Sequence, residues 1–371
     1  MTARDRTGLY QWMDVMRFVA AAIVAVSHAR DIIMVDYNGD KLYLPFYAGT
    51  GFGHSGVIVF FVLSGFWISR SVLSRIDRDT FWTDYLIDRM SRLCIVLVPA
   101  LLLGGALDYV GLHVMQLPIY SGASGAHSVN SDVANNLGLP VFLGNLFFLQ
   151  TIAVSTWGSN GPLWSLAAEF WYYIWFPALF LLVRRRRLSI ALLALVIGVF
   201  KPVIALGFFS WLIGLGLFLA LRRYADAPVP ARWRSIVATA TWLVMMVASG
   251  ALKAAWTDVP LALTFAWMLF EWGQSGVAMP KSALFLANYG SRSSFSLYIL
   301  HFPLLVLIGG YLARAGRFTP TPLAVAIVLI LTLIAIGAGW LFSQATERHT
   351  TTLRDFSRAI VNRRRLSFTD G

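Results

Sequence analysis

Apolar runs of membrane-spanning length recur along this chain and constrain its fold more than any other feature. A helix needs about 20 consecutive apolar residues to cross the hydrocarbon core of a bilayer. Only 13% of the 371 residues are charged, whereas soluble domains carry about 25%. The mean hydropathy is +0.67. The sequence therefore predicts an all-α polytopic membrane protein.

Basic residues cluster between the apolar runs, which is the positive-inside bias of membrane proteins. These clusters account for the net charge of +12 without any need for nucleic-acid binding. Following them along the chain, we predict about ten transmembrane helices with the N- and C-termini cytoplasmic. The predicted spans cover residues 12–34, 54–73, 89–112, 164–183, two arms of a hairpin within 188–221, 235–251, 258–273, 293–312 and 323–343.

The segment 137–156 is also apolar enough to span. If it did, the cluster Arg184–Arg187 would lie outside, against the positive-inside bias. We therefore predict that this segment is re-entrant or interfacial. Residues 1–350 then form a single transmembrane domain, and 351–371 form a basic cytoplasmic tail. No cleavable signal peptide is predicted, because the first apolar run lacks a clear small-residue cleavage site.

The first apolar run contains three ionisable residues, Asp14, Arg17 and His28. Such residues are costly inside a spanning helix, so they are functional candidates by default. Arg17 and His28 are about three turns apart and project from nearly the same face, roughly 16 Å apart along the axis. Histidine has a pKa suited to taking a proton from a hydroxyl near neutral pH. The alternative for His28 is an interfacial or structural role.

Arg89 and Arg92 begin the third predicted helix and share one face, because they are three residues apart. They are either further positive-inside charges or a clamp for an anion. Arginine binds phosphate in a bidentate manner and keeps its charge when partly buried, so a cytosolic acyl-CoA would suit this position. Ser64 and Gly65, midway along the second helix, allow close approach of another helix or of a ligand.

Two later helices carry polar residues in apolar surroundings. The aromatic helix around Glu169 presents either an interfacial belt or a stacking wall for a sugar or a pantetheine arm. No third ligand accompanies the two intramembrane histidines at convincing spacing, so no metal site is predicted. No nucleotide-binding glycine loop and no Gly-x-Ser-x-Gly elbow is present. The candidate acceptor or pocket residues are Trp164, Ser165, Glu169, Tyr172, Tyr298 and His301.

Six sequence blocks, taken in order, resemble the acyltransferase family 3 integral membrane proteins, the O-acetylases that modify bacterial surface polysaccharides. Each block alone is weak, and together they cover most of the chain. The first has an arginine followed after ten residues by a histidine, and the third has an Arg-x-x-Arg pattern. The blocks are MDVMRFVAAAIVAVSHA, GVIVFFVLSGFWISR, YLIDRMSRLCIVLVP, PLWSLAAEFWYYIWFP, FSLYILHFPLL and ATERHTTTLRD.

The resemblance implies an enzyme of the inner (plasma) membrane. It would move an acyl group, usually acetyl, from cytosolic acyl-CoA to a hydroxyl of a surface glycan or lipid-linked sugar. The resemblance implies acyl-CoA binding by Arg89 and Arg92, general-base catalysis by His28, directly or through an acyl intermediate, and support of the donor or of the site by Arg17 and Asp14. Ser64, in the small-residue stretch of the second helix, is a further candidate for acyl-CoA binding.

Acyl-CoA, most often acetyl-CoA, would be a co-substrate, and no permanently bound cofactor is expected. The expected partners are membrane lipid and the glycan or lipid-linked sugar acceptor, and a homo-oligomer is left open. The alternative function is a polytopic transporter or flippase of glycolipid or acylated metabolites. It would use the same intramembrane charges as a transport pathway.

Overall fold

The computed structural model describes residues 6–130, 132–185 and 201–369. Within these ranges the chain is helical, and its extended contacts are two isolated bridges, Met34 with Phe318 and Gln150 with Val154. The predicted all-α class is confirmed. The α-helices are α1 (Thr7–Ile33), α2 (Leu44–Gly49), α3 (Gly53–Leu73), α4 (Phe81–Tyr109), α5 (Leu139–Leu146), α6 (Leu163–Arg185), α7 (Pro202–Arg223), α8 (Arg232–Leu252), α9 (Asp258–Ser275), α10 (Leu284–Leu312), α11 (Pro322–Ala345) and α12 (Thr350–Thr369).

Eight helical stretches in the described residues are long and apolar enough to cross a membrane, so the protein is a multi-pass membrane protein. The stretches are Thr7–Ile33, Leu44–Leu73, Phe81–Val114, Leu163–Leu182, Ile204–Arg223, Arg232–Leu252, Arg292–Leu312 and Pro322–Asn362.

Two predicted spans are not among these eight. Most of the first arm of the predicted hairpin, together with Arg186 and Arg187, lies outside the described residues. The predicted span 258–273 corresponds to α9, a helix of 18 residues. Asp258 and the fully buried Glu271 reduce its apolar character. The count of ten crossings therefore stays a prediction.

The helices α1 and α3 form the centre of the bundle. α1 packs against α3, α10 and α11, and α3 also packs against α7 and α9. A Cβ on Gly65 would lie 2.0 Å from the carbonyl oxygen of Trp211, and one on Gly214 would lie 2.1 Å from that of Val62. Small residues thus allow α3 and α7 to touch through their backbones. This contact fixes α3 as one wall of the space described below.

The segment 137–156 does not form a spanning helix. Its helix α5 has 8 residues, which is about 12 Å and less than half of the hydrocarbon core. Phe148 and Thr151 then adopt positive φ angles of 58° and 64°. The Asn145 amide stabilises the turn by donating a hydrogen bond to the carbonyl oxygen of Ser155 at 2.9 Å. The chain folds back here, in agreement with the re-entrant or interfacial path that was predicted.

The residues predicted as a basic tail continue as α12 up to Thr369, and this helix packs against α4. Arg358 of α12 donates to one carboxylate oxygen of Asp88 in α4 at 2.7 Å. The other oxygen accepts from Arg75, at the end of α3, also at 2.7 Å. One carboxylate therefore connects the tail helix to the ends of α3 and α4.

Candidate active site

The helices α1, α3, α4, α6 and α10 surround a cavity of about 650 Å³. Along α3 its lining extends from Val57 to Ser74, and Arg75 follows at the same end. That length is roughly 27 Å of helix. The arginine-rich end is the one that the topology predicted from sequence places at the cytoplasm. Eight of the residues singled out from sequence line this cavity: Asp14, Arg17, Ser64, Arg89, Arg92, Ser165, Glu169 and Tyr298.

Positive charge dominates the lining. Among the described residues, the carboxylates that line the cavity are Asp14 and Glu169. Arginine stays charged in any protein environment, and its planar fork matches phosphate oxygens. The cavity is therefore electrostatically suited to a polyanion. Its five arginines are Arg17, Arg70, Arg75, Arg89 and Arg92.

The five arginines differ in the ion pairs and ring contacts that they already form within the protein. Arg17 is paired with Asp14, one turn earlier on α1, at 3.3 Å. The Arg70 guanidinium lies over the rings of Tyr10 and Trp67, 4.9 and 5.5 Å from their centroids. Such contacts orient a guanidinium without neutralising it.

Arg89 lies beside the Tyr85 ring, 5.9 Å from its centroid. Its Nε is buried and has no hydrogen-bond partner within the described residues. Neither Arg89 nor Arg92 forms an ion pair with another described residue of the chain. Their charge therefore remains available to a ligand.

Ser165, Glu169 and Tyr173 are four residues apart on α6 and line the cavity from one face of that helix. The Tyr173 hydroxyl donates to Oε1 of Glu169. Ser165 Oγ lies 2.6 Å from the Tyr298 hydroxyl, and it also donates to the carbonyl oxygen of Pro162 at 3.2 Å. This Ser165–Tyr298 contact joins α6 to α10 at the end of the cavity away from Arg75.

Trp164 and Tyr172 are also on α6, and neither lines the cavity. Trp164 packs against Phe61 at 6.3 Å between ring centroids. Tyr172 is fully buried in the core, and its hydroxyl donates to the carbonyl oxygen of Ile204 at 2.6 Å. The structure thus places Tyr172 in the packing between α6 and α7.

His28 and His301 also lie outside the cavity lining, and the structure brings them together beyond its end. His301 follows Tyr298 by one turn of α10, and its ring is 5.9 Å from the Tyr298 ring. The imidazoles of His28 and His301 are stacked, with centroids 5.4 Å apart and planes 28° apart. Phe302 meets the His28 ring edge-on at 4.8 Å. The contact between α1 and α10 is what places these residues side by side.

Sequence reasoning missed several residues of this site. Arg70 and Arg75 were assigned to the positive-inside bias, because a charge at a helix end looks the same whether it faces water or a cavity. Glu347 accepts a hydrogen bond from the backbone N–H of Ser296 at 2.9 Å. Phe295, the residue before Ser296, lines the cavity. The carboxylate in the closing sequence block ATERHTTTLRD is the signal that could have identified Glu347.

The described part of the chain contains no group of three or more His, Cys, Asp or Glu side chains that could hold a metal ion. The polar groups that face the cavity are cationic, hydroxylic or single carboxylates. This donor set suits a phosphorylated organic ligand.

The helical bundle and its arginine-lined cavity define the class of multi-pass membrane proteins with an internal polar cavity. The chain matches the family described as acyltransferase domain, acyltransferase family 3, over residues 10–341, and it belongs to that family. This confirms the resemblance seen in the sequence blocks. The protein is therefore an enzyme that transfers acyl groups.

A relative, "Acyltransferase MdmB" of Streptomyces mycarofaciens, is 26% identical over 370 residues. The alignment covers 89% of this chain and 88% of the relative. No solved structure matches the chain. The similarity thus extends over the whole bundle rather than over one motif.

Proposed function

We propose that this protein is an O-acyltransferase of the inner (plasma) membrane. It moves an acyl group, acetyl in the simplest case, from cytosolic acyl-CoA to a hydroxyl of a surface glycan or lipid-linked sugar. One observation carries the proposal: an arginine-lined cavity ends at Ser165 and Tyr298, one helical turn from the stacked pair of His28 and His301.

The donor fits the cavity by charge and shape. Acyl-CoA has a cluster of phosphates at one end and a thin, uncharged pantetheine arm that ends in the thioester. Arg89 and Arg92, which have no ion-pair partner among the described residues, would bind the phosphates, with Arg70 and Arg75 beside them. The arm would pass Ser64 toward the opposite end of the cavity.

The deeper charges would orient the donor. Arg17 is held by Asp14 at 3.3 Å, so its guanidinium is fixed in the cavity wall rather than free to rotate. The Ser165–Tyr298 contact would mark the position of the thioester, because it closes the cavity on the histidine side.

The acyl transfer needs one proton movement. His28 would take the proton of the acceptor hydroxyl as its oxygen bonds to the thioester carbonyl carbon. The carbon–sulfur bond then breaks, and the proton passes to sulfur, so that CoA leaves as the thiol. His28 is partly exposed, which would allow the acceptor to reach it. The relative MdmB, named only as an acyltransferase, supports acyl transfer and is silent on donor and acceptor.

The test is acyl transfer by the full-length protein in lipid nanodiscs with radiolabelled acetyl-CoA. The acceptor is the polysaccharide and lipid-linked sugar fraction of a strain that lacks the gene. Wild type should label this fraction, and His28→Ala should label it at least about 100-fold more slowly, since general-base catalysis contributes that much. His349→Ala, an exposed histidine on the last short helical turn before α12, is the matched control and should match wild type.

Unchanged labelling by His28→Ala would contradict the role of His28. Movement of an unmodified solute across vesicles without any labelling would instead favour the transporter or flippase that the sequence left as the alternative.

A further inference from the structure

His301 has one ring nitrogen that is fixed and one that is unused. Its Nδ1 lies 2.8 Å from the carbonyl oxygen of Tyr298 and 3.1 Å from that of Leu297. Carbonyl oxygens only accept hydrogen bonds, so Nδ1 carries the hydrogen. The neutral imidazole then has a bare lone pair on Nε2, and Nε2 can act only as an acceptor.

That acceptor has no partner in the described part of the chain, although the His301 side chain is only 1% exposed. Buried polar atoms are normally hydrogen-bonded, and an exception needs an explanation. Packing alone does not supply one, because a phenylalanine would fill the same space without stranding an acceptor.

The His301 ring lies against the imidazole of His28. The two rings are stacked 5.4 Å apart, and Phe302 holds His28 from another side. His28 itself forms no hydrogen bond with a described residue. A catalytic imidazole normally has a partner on its second nitrogen, which fixes its tautomer and orientation. The carboxylate of Asp31, one turn after His28 on α1, instead accepts from the backbone N–H of Ser128 at 2.8 Å and from its hydroxyl.

We infer that His301 is the positioning residue for His28, and that its Nε2 accepts a hydrogen bond from a ring N–H of His28 once substrate is bound. This inference rests on the proposed function. It leaves the other nitrogen of His28 as the base that faces the acceptor hydroxyl. The bond requires one of the two stacked rings to turn until the His28 N–H points at Nε2, and catalytic hydrogen bonds often align only in the substrate complex.

The proton balance is simple. The hydroxyl proton moves to His28 as the new carbon–oxygen bond forms, and it moves on to sulfur as the carbon–sulfur bond breaks. His301 gains and loses no proton. Its lone pair stabilises the imidazolium of His28 between these two steps, which is the part that a carboxylate takes in hydrolase triads.

Two substitutions separate this role from packing. His301→Phe keeps the ring volume and removes the acceptor. His301→Gln can place an amide oxygen where Nε2 stands. His113→Phe removes an exposed imidazole beyond the end of α4 and serves as the control.

The assay is the acyl transfer with radiolabelled acetyl-CoA and the acceptor fraction defined above. His301→Phe should lower kcat by about 100-fold and leave KM for acetyl-CoA within about twofold of wild type, since the donor site is untouched. The kcat of His301→Gln should be at least about tenfold higher than that of His301→Phe. His113→Phe should match wild type.

Wild-type kcat in His301→Phe would overturn the inference. So would equal losses in the phenylalanine and glutamine variants while both bind acetyl-CoA like wild type, because the acceptor atom would then be irrelevant. If His301→Phe fails to bind acetyl-CoA, the glutamine variant decides: kcat within about tenfold of wild type supports the inference, and a greater loss with intact binding contradicts it. Absence of transfer by the wild type would instead overturn the proposed function itself.

Discussion

The two ends of the site differ in their physics. The cavity end is charged and accessible: five arginines line it, and the paired ones keep part of their side chains exposed, 24% for Arg75 and 17% for Arg17. The histidine end is closely packed, with His301 1% exposed and aromatic rings on several sides. In the proposed reaction, the charged end would receive the polyanion from water, and the packed end would keep water away from the thioester.

The comparison also shows why neither end can replace the other. Arginine cannot be deprotonated in a protein, so the cavity can bind but cannot take a proton. A neutral histidine pair can move a proton and has no fixed charge to hold phosphates. The Ser165–Tyr298 contact, 2.6 Å between hydroxyl oxygens, lies between the arginine-lined cavity and the histidine pair.

The largest expected effect comes from removing charge at the cavity end. Replacing both Arg89 and Arg92 by glutamine should raise KM for acetyl-CoA by at least about 100-fold, because each charged hydrogen bond contributes about 1.5–3 kcal/mol. Turnover at saturating donor should change little, since the histidines are unaffected. Steady-state kinetics with radiolabelled acetyl-CoA measure both parameters.

Arg78→Gln removes an exposed charge from the same region of the chain without touching the cavity, and it should leave KM unchanged. S-acetylpantetheine, which lacks the phosphates, should give wild type and the double variant equal KM values. A loss of kcat with normal KM in the double variant would contradict the assignment of donor binding to the arginines and of chemistry to the histidines.

The next largest effect on activity is expected from the Ser165–Tyr298 contact. Tyr298→Phe removes the hydroxyl that contacts Ser165 and should lower kcat by about tenfold, the value of one buried hydrogen bond, with KM for acetyl-CoA unchanged. Tyr172→Phe is the control, because Tyr172 does not line the cavity. It removes an equally buried hydroxyl bonded to Ile204 and should lower the free energy of unfolding by about 1 kcal/mol without lowering activity. Equal activity losses in the two variants would show that the Ser165–Tyr298 contact has no special role in turnover.

Much of the cavity could be predicted from the sequence, because the cost of burying charge is a local property of a span. Arg17, Arg89, Arg92 and Glu169 stand out in apolar runs for that reason, and all four line the cavity. Ser165 and Tyr298 were found through aromatic helices that could have served other purposes.

The remaining features depend on tertiary packing that no local pattern carries. The stacking of His28 on His301 requires that α1 and α10 pack together, although they are far apart in the chain. Tyr172 looked like a wall residue, and only the rotation of α6 about its axis shows that it faces α7. Arg75 was hidden in the positive-inside signal.

A smaller effect is expected at the tail helix. Asp88 is shared between Arg75 and Arg358 at 2.7 Å each. Arg358→Ala should leave Asp88 to Arg75 alone, strengthen that pair against a ligand phosphate, and raise KM for acetyl-CoA by about two- to fivefold, in line with a partly exposed ion pair. Arg354→Ala, whose partner Asp355 is on the same helix, should change nothing. Equal KM values for both variants would remove the tail helix from the donor site.

The smallest effect is expected at the outer loop that follows α1. His127 and Arg317 lower the pKa of Asp36 below its ordinary value of 3.8, His127 through a hydrogen bond of 3.0 Å. A carboxyl with a lowered pKa stabilises the fold above its ordinary pKa, and the contribution is lost as the pH falls through the lowered pKa. His127→Ala should therefore lower Tm slightly at pH 7, with a smaller difference at pH 3, and activity should be unchanged.

An equal Tm difference at both pH values would exclude Asp36 as the partner that matters to His127. A loss of activity at pH 7 would contradict the separation of this loop from the chemistry.

The division between binding and chemistry is tested most directly by the Kd of acetyl-CoA, measured by titration calorimetry on His28→Ala in nanodiscs. The expected Kd lies within about twofold of wild type in a protein that no longer transfers the acyl group, while the Arg89→Gln, Arg92→Gln double variant binds at least about 100-fold more weakly. If His28→Ala loses donor binding as completely as the double arginine variant, the division between binding and chemistry is contradicted.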